Sequence, residues 1–147
     1  MAQVMIIDDE ENLLESLKRV VSYEGYEVKL FSSGIKALDS LEELRPDAIL
    51  LDVKMPEIDG FEVCRRIRAN KNVYIKNIPI IMITGYCYEK DEILSAGADD
   101  FLEKPLDRAG VIMRIKRVLR IGKLTDELER AKAYLEELKE SGGKENQ

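Results

Sequence analysis

Apolar residues along this chain fall into two kinds of segment that take turns. Short runs rich in Val and Ile lie at residues 4–7, 26–31, 48–51, 78–83 and, more briefly, 100–102. Apart from the partly polar second and fifth, they do not alternate polar with apolar positions. Strands buried on both faces read this way, and such strands are usually parallel and covered by helices. Between the runs, apolar residues recur at helical spacing. Leu13, Leu14, Leu17, Val20 and Val21 share one face, and Ala37, Leu38, Leu41 and Leu44 another. Phe61, Cys64 and Ile67 form a third, Ile93, Leu94 and Ala96 a weaker fourth, and Val111, Ile112, Ile115, Val118 and Leu119 a fifth. Gly25 ends the first helix, Pro46 the second, and Asp59-Gly60 opens the third. Strand and helix thus repeat five times, and right-handed crossovers turn that order into a doubly wound parallel sheet with helices on both faces.

A different segment follows Leu119. Gly122 is expected to loosen or break the helix. Leu124, Leu128, Ala131, Leu135 and Leu138 then recur at alternating steps of four and three, a short heptad pattern with charges between. The stripe is readable as a linker, as a seam for a homodimer, or as a helix packed back on the domain; the intervening charges favour the first two. The polar end is expected to be disordered. The reading divides the chain into a domain at 1–121, a helical extension at 122–140 and a tail at 141–147.

Composition narrows the chemistry. A chain of 147 residues suffices for one domain with a real core plus a short extra element. Its net charge is −6, and no basic patch with interleaved aromatics is present, so direct nucleic-acid binding is not expected. No apolar run is long enough to span a bilayer, and the N-terminal residues do not read as a secretory signal, so no membrane partner is expected. There is no histidine, which removes Ser-His-Asp triads, Cys-His pairs and His-ligated zinc. Cys64 and Cys87 lack metal-like spacing, and a cytoplasmic setting is the economical expectation.

In an open parallel sheet, ligands bind beyond the carboxyl ends of the strands, where strand order reverses. The first run ends in Asp8-Asp9, the third in Asp52, the fourth in Thr84, and the fifth is followed by Lys104-Pro105. With the order 2-1-3-4-5 these ends converge at one edge. Two like charges about 5 Å apart cost roughly 3 kcal/mol at an effective dielectric near 20. A cation would relieve that cost, and an all-oxygen ligand set suits a hard divalent ion such as Mg²⁺. Lys104 adds a second positive charge and Thr84 a hydroxyl. Metal, ammonium and hydroxyl around one carboxylate make a cradle for a phosphoryl group. Asp52, on the central strand, is the natural nucleophile. Asp8 and Asp9 would hold the metal, with the backbone carbonyl of Lys54 as a further ligand.

Ile6-Ile7-Asp8-Asp9-Glu10, Leu50 to Gly60, Ile83-Thr84-Gly85 and Gly97 to Pro105 together resemble the bacterial response-regulator receiver family, chemotaxis regulators included. The resemblance covers residues 3 to about 120. It implies a flavodoxin-like sheet with five helices, here followed by the helical extension. It implies phosphorylation of Asp52 by a sensor histidine kinase, with Mg²⁺ on Asp9 and Asp52 directly and on Asp8 through water. Thr84 and Lys104 would contact the phosphoryl group. Phe101 stands where the family carries a switching aromatic, so Thr84 and Phe101 would remodel the face of helix 4, strand 5 and helix 5 for an effector or output domain. Such a module catalyses its own phosphorylation and slow dephosphorylation and is not a multiple-turnover enzyme. No output domain is recognisable, so the expectation is either a stand-alone regulator or the receiver part of a longer protein. Gly85 departs from the family's usual Ala and leaves the site roomier.

Three other classes fit less well. A phosphatase of the haloacid-dehalogenase type wants an Asp two residues after its nucleophile, where Lys54 stands. A flavodoxin-like flavin binder wants a Ser/Thr/Gly loop after the first strand, where Asp9-Glu10-Glu11 would repel phosphate. A constitutive pseudo-receiver would not need so complete a site. Taken singly, Asp9 reads as a helix cap, Thr84 as a strand end and Phe101 as core. Tyr86 and Lys54 flank the site as screens against water, and Cys87 reads as an ordinary loop residue.

Overall fold

The structure, a computed structural model, describes residues 1–85 and 90–142; beyond residue 122 its side-chain detail is confined to Leu128, Leu135 and Lys139. Tyr86, Cys87 and residues 143–147 lie outside the described residues. Five strands, β1 (Gln3–Ile7), β2 (Glu27–Phe31), β3 (Ala48–Asp52), β4 (Ile80–Thr84) and β5 (Asp100–Glu103), form one sheet in the order β2-β1-β3-β4-β5. Every neighbouring pair is parallel. The helices among the described residues are α1 (Glu11–Tyr23), α2 (Gly34–Leu44), α3 (Gly60–Arg68), α4 (Val73–Lys76), α5 (Lys90–Ser95) and α6 (Arg108–Gly142).

The unbroken apolar character of the central strands has its cause in two cores. Met5, Ile7, Ile49, Leu51, Ile80 and Met82 point to the side covered by α2, α3, α4 and α5. Their neighbours Val4, Ile6, Leu50, Ile81 and Ile83 point to the side covered by α1 and α6. The pleat sends successive side chains to opposite faces, so a strand covered on both must be apolar at every position.

The helix punctuation follows local chemistry. Gly25 closes α1 with φ +95°, and Arg45 caps α2 in the left-handed region before Pro46. Asp59 caps α3 by accepting from the Glu62 N–H at 2.9 Å. Gly60 is required for a second reason: a Cβ there would collide with the carbonyl oxygen of Asp52 and stand 2.9 Å from Val53 Cα. The chain thus turns into α3 hard against the end of β3.

Three details depart from the sequence expectation. A one-turn helix, α4, is added, capped by Asn72, whose side chain accepts from the N–H groups of Tyr74 and Ile75. Leu94, grouped above with Ile93 and Ala96, is 44% exposed, while Ile93 is buried. Gly122 does not end the last helix, which runs on through Ser141 and Gly142. One glycine costs only about 1 kcal/mol relative to Ala inside a helix, and long flanking runs of Leu, Glu, Lys and Ala offset it. Among the described residues, no helix is long and apolar enough to cross a membrane.

Candidate functional site

The sheet brings the expected strand ends together. Register pairs Ile7 with Leu51, Asp52 with Ile83, and Thr84 with Glu103. Asp8 and Asp9 follow β1, Asp52 ends β3, Thr84 ends β4 and Lys104 follows β5. All therefore lie on one rim, across the point where β1 and β3 diverge in topology. Each of Asp8, Asp9 and Asp52 has a carboxylate oxygen within 4.8 Å of the other two. Lys104 Nζ stands 3.3 Å from Asp52 Oδ1. Its backbone is fixed as well, its N–H donating to the Thr84 carbonyl at 2.8 Å.

Asp8, Asp52 and Thr84 are buried, and Asp9 is exposed at the rim. Burial is the main reason the Asp8 carboxyl is pushed from 3.8 up to about 6; the charges of Asp52 and Asp9 add to it, against the Glu10 N–H and the Lys104 ammonium. Burial likewise raises Asp52, with Asp9 adding to the effect, while Lys104 opposes it by charge and hydrogen bond. Lys104 thus offsets part of the mutual repulsion of the three carboxylates. Asp8 Oδ1 accepts from the Glu10 N–H at 2.9 Å, but Asp8 Oδ2 is buried with no hydrogen-bond partner. A buried carboxylate oxygen without a donor, beside two further carboxylates, fits the ligand set of a hard divalent cation.

Lys54 lies two residues past Asp52, in the loop before α3, with an exposed side chain. Phe101 sits on β5 opposite Met82, half-buried against the core on the α3 side. Two features escaped the sequence reading. Arg68, at the end of α3, donates to the carbonyls of Gly97, Lys76 and Ile78 and to Asp99 Oδ2, at 2.7–2.8 Å. Asp99 Oδ2 also accepts from the Ile80 N–H at 2.8 Å, so this brace ties α3 to the start of β4 and to the turn into β5. Asp100 pairs with Arg117 at 3.3 Å and Arg114 at 3.7 Å, anchoring α6 to the edge strand. Both are long-range pairings between charges that read locally as solvated.

Comparison with known proteins agrees with this geometry. The response regulator receiver domain family model matches residues 4–116. Response regulator MprA of Mycobacterium avium is 38% identical over 129 residues, 86% of this chain and 55% of the relative. The chain spans about half the length of the curated relatives it matches. Among solved structures, a response regulator from Chloroflexus aurantiacus is 36% identical with a TM-score of 0.76, covering 81% of this chain and 98% of its own. The receiver domain of sensor histidine kinase PA1611 from Pseudomonas aeruginosa, solved with a magnesium ion in its active-site cleft, is 32% identical with a TM-score of 0.73, covering 80% and 97%. Fold, rim and sequence define a signalling receiver of two-component systems. The chain belongs to the response regulator receiver family.

Proposed function

We propose that Asp52 is the phosphoacceptor of a two-component signalling switch, charged by a sensor histidine kinase. The observation that carries this reading is the meeting of Asp8, Asp9, Asp52 and Lys104 on one rim, with Lys104 Nζ 3.3 Å from Asp52. In the transfer, a carboxylate oxygen of Asp52 attacks phosphorus, an O–P bond forms, and the P–N bond to the donor imidazole breaks. Lys104 holds positive charge against the carboxylate and then against the phosphoryl oxygens, and the Thr84 hydroxyl donates to them. Asp8, Asp9 and Asp52, with the Lys54 carbonyl, would hold Mg²⁺, which when bound would neutralise charge on the phosphoryl oxygens. Water returns the site to its starting state by slow hydrolysis of the aspartyl phosphate.

Phosphorylation adds negative charge at a rim that already carries three carboxylates. Thr84 and Phe101 respond as the two-state element, and the face of α5, β5 and the start of α6 changes for an effector or output domain. Residues 1–121 form the receiver and the remainder of α6 the extension. The setting is the cytoplasm. Treatment with a small phosphodonor and Mg²⁺, followed by intact mass, tests the reading. The wild type gains one phosphoryl group; Asp52→Asn or a chelator removes the gain. Equal gain by Asp52→Asn refutes the assignment.

A further inference from the structure

Glycine opens α2 for want of space, not for backbone freedom. Gly34 follows the Ser33 cap, and its backbone is helical rather than left-handed. A Cβ there would lie 2.7 Å from Val63 Cγ2 and 3.2 Å from Ile58 Cγ1, so the neighbours would have to move. Val63 is fully buried one turn into α3, and its β-branched side chain is stiff at χ1. Ile58 is half-buried against the same core and belongs to the loop at residues 53–59. The start of α2 therefore closes directly on that loop and on the first turn of α3.

The loop carries Lys54 and is pinned at both ends. At its start the Val53 N–H donates to the Ile83 carbonyl at 3.0 Å, and the Val53 carbonyl accepts from the Gly60 N–H at 2.8 Å. At its end Asp59 caps α3, and Gly60 stands hard against the Asp52 carbonyl. The first turn of α3 thus has no room to retreat toward β3, and pressure from α2 falls on the residues between, Lys54 to Ile58.

We propose that Gly34, on α2 and outside the acidic rim, is a positioning residue for the cation. Its missing Cβ lets α2 seat Ile58 and Val63, and that seating sets where the loop presents the Lys54 carbonyl. The inference rests on the reading of the rim as a Mg²⁺ site. It adds to that reading a support that touches none of the ligands, since Gly34 acts only through Ile58 and Val63. Supporting contacts of this kind govern how tightly a metal is held, because a ligand displaced from its place loses its bond to the ion.

The test measures Mg²⁺ binding to the full chain by isothermal titration calorimetry, with folding of each variant checked by circular dichroism. Gly34→Ala is expected to weaken binding about tenfold, the low end of what loss of a supporting contact costs a metal site. Adding Val63→Ala clears the nearest atom and recovers most of that loss. Arg68→Ala, destabilised at a distance, keeps the wild-type affinity, which separates positioning from a general loss of stability. Ile58→Ala removes the side chain through which α2 bears on the loop and is expected to weaken binding too, so it carries the test if Gly34→Ala does not fold. Wild-type affinity in Gly34→Ala, or in Ile58→Ala where that variant carries the test, means that α2 yields instead and overturns the proposal. So does a loss that Val63→Ala fails to relieve, or an equal loss in Arg68→Ala. A wild type that binds no Mg²⁺ refutes the metal reading itself, and this inference with it.

Discussion

Asp8 illustrates how much a single residue reports about the site. Its carboxyl is pushed up to about 6 because it is buried near other carboxylates with one oxygen lacking a donor. The folded value lies above the unfolded one, near 3.8. Between the two, the folded chain keeps a proton that the unfolded chain has released, so the stability of metal-free protein falls as pH rises through that window. Above it the whole cost is present, about 3 kcal/mol at 1.36 kcal/mol per unit. Asp8→Asn is expected to stabilise the chelator-treated protein at pH 7 by about 1–3 kcal/mol in a urea melt, and to flatten its stability between pH 4 and 6. The same linkage makes Mg²⁺ bind less tightly as pH falls through about 6, because a proton then competes for the ligand. Titrations at pH 5 and pH 7.5 check the direction; tighter binding at pH 5 contradicts it.

At the scale of elements, the rim is held by contacts made far from it. Gly60→Ala forces a Cβ into the Asp52 carbonyl, and the end of β3 must move. The expected loss is about 1–3 kcal/mol by denaturant, together with slower phosphorylation, since β3 carries the nucleophile. Arg68→Ala removes four hydrogen bonds from a partly exposed guanidinium and is expected to cost about 1–3 kcal/mol while leaving the phosphoryl gain intact.

The strands and the rim were legible in the sequence for a specific reason. Burial on both faces removes polar residues from β3 and β4, so the first polar residue marks each strand's end, at Asp52 and Thr84. Asp59-Gly60 was legible because a cap and a close approach each demand one residue type. The Arg68–Asp99 brace was not, because nothing local links a helix-end arginine to an aspartate 31 residues on. One-turn α4 was missed because four residues, Val73–Lys76, are too few to show a helical period. The uninterrupted α6 was missed because a glycine is a weak breaker where its neighbours favour helix.

For the whole molecule, cation binding and folding are one equilibrium. An ion that binds only the folded rim stabilises by RT ln(1 + [L]/Kd), roughly 2.7 kcal/mol at a hundredfold excess over Kd. Adding Mg²⁺ to chelator-treated protein is expected to raise the melting temperature, and Asp9→Asn is expected to lose most of that rise. An Asp9→Asn variant that responds like the wild type would place the ion elsewhere.

Trapping the product shows whether the rim makes Asp52 the nucleophile. An aspartyl phosphate is an acyl phosphate, and borohydride reduces it to homoserine. After phosphodonor treatment with Mg²⁺ and reduction, homoserine is expected at position 52 by peptide mass spectrometry. Homoserine at Asp8, Asp9 or Asp59 instead, or at no aspartate, contradicts it.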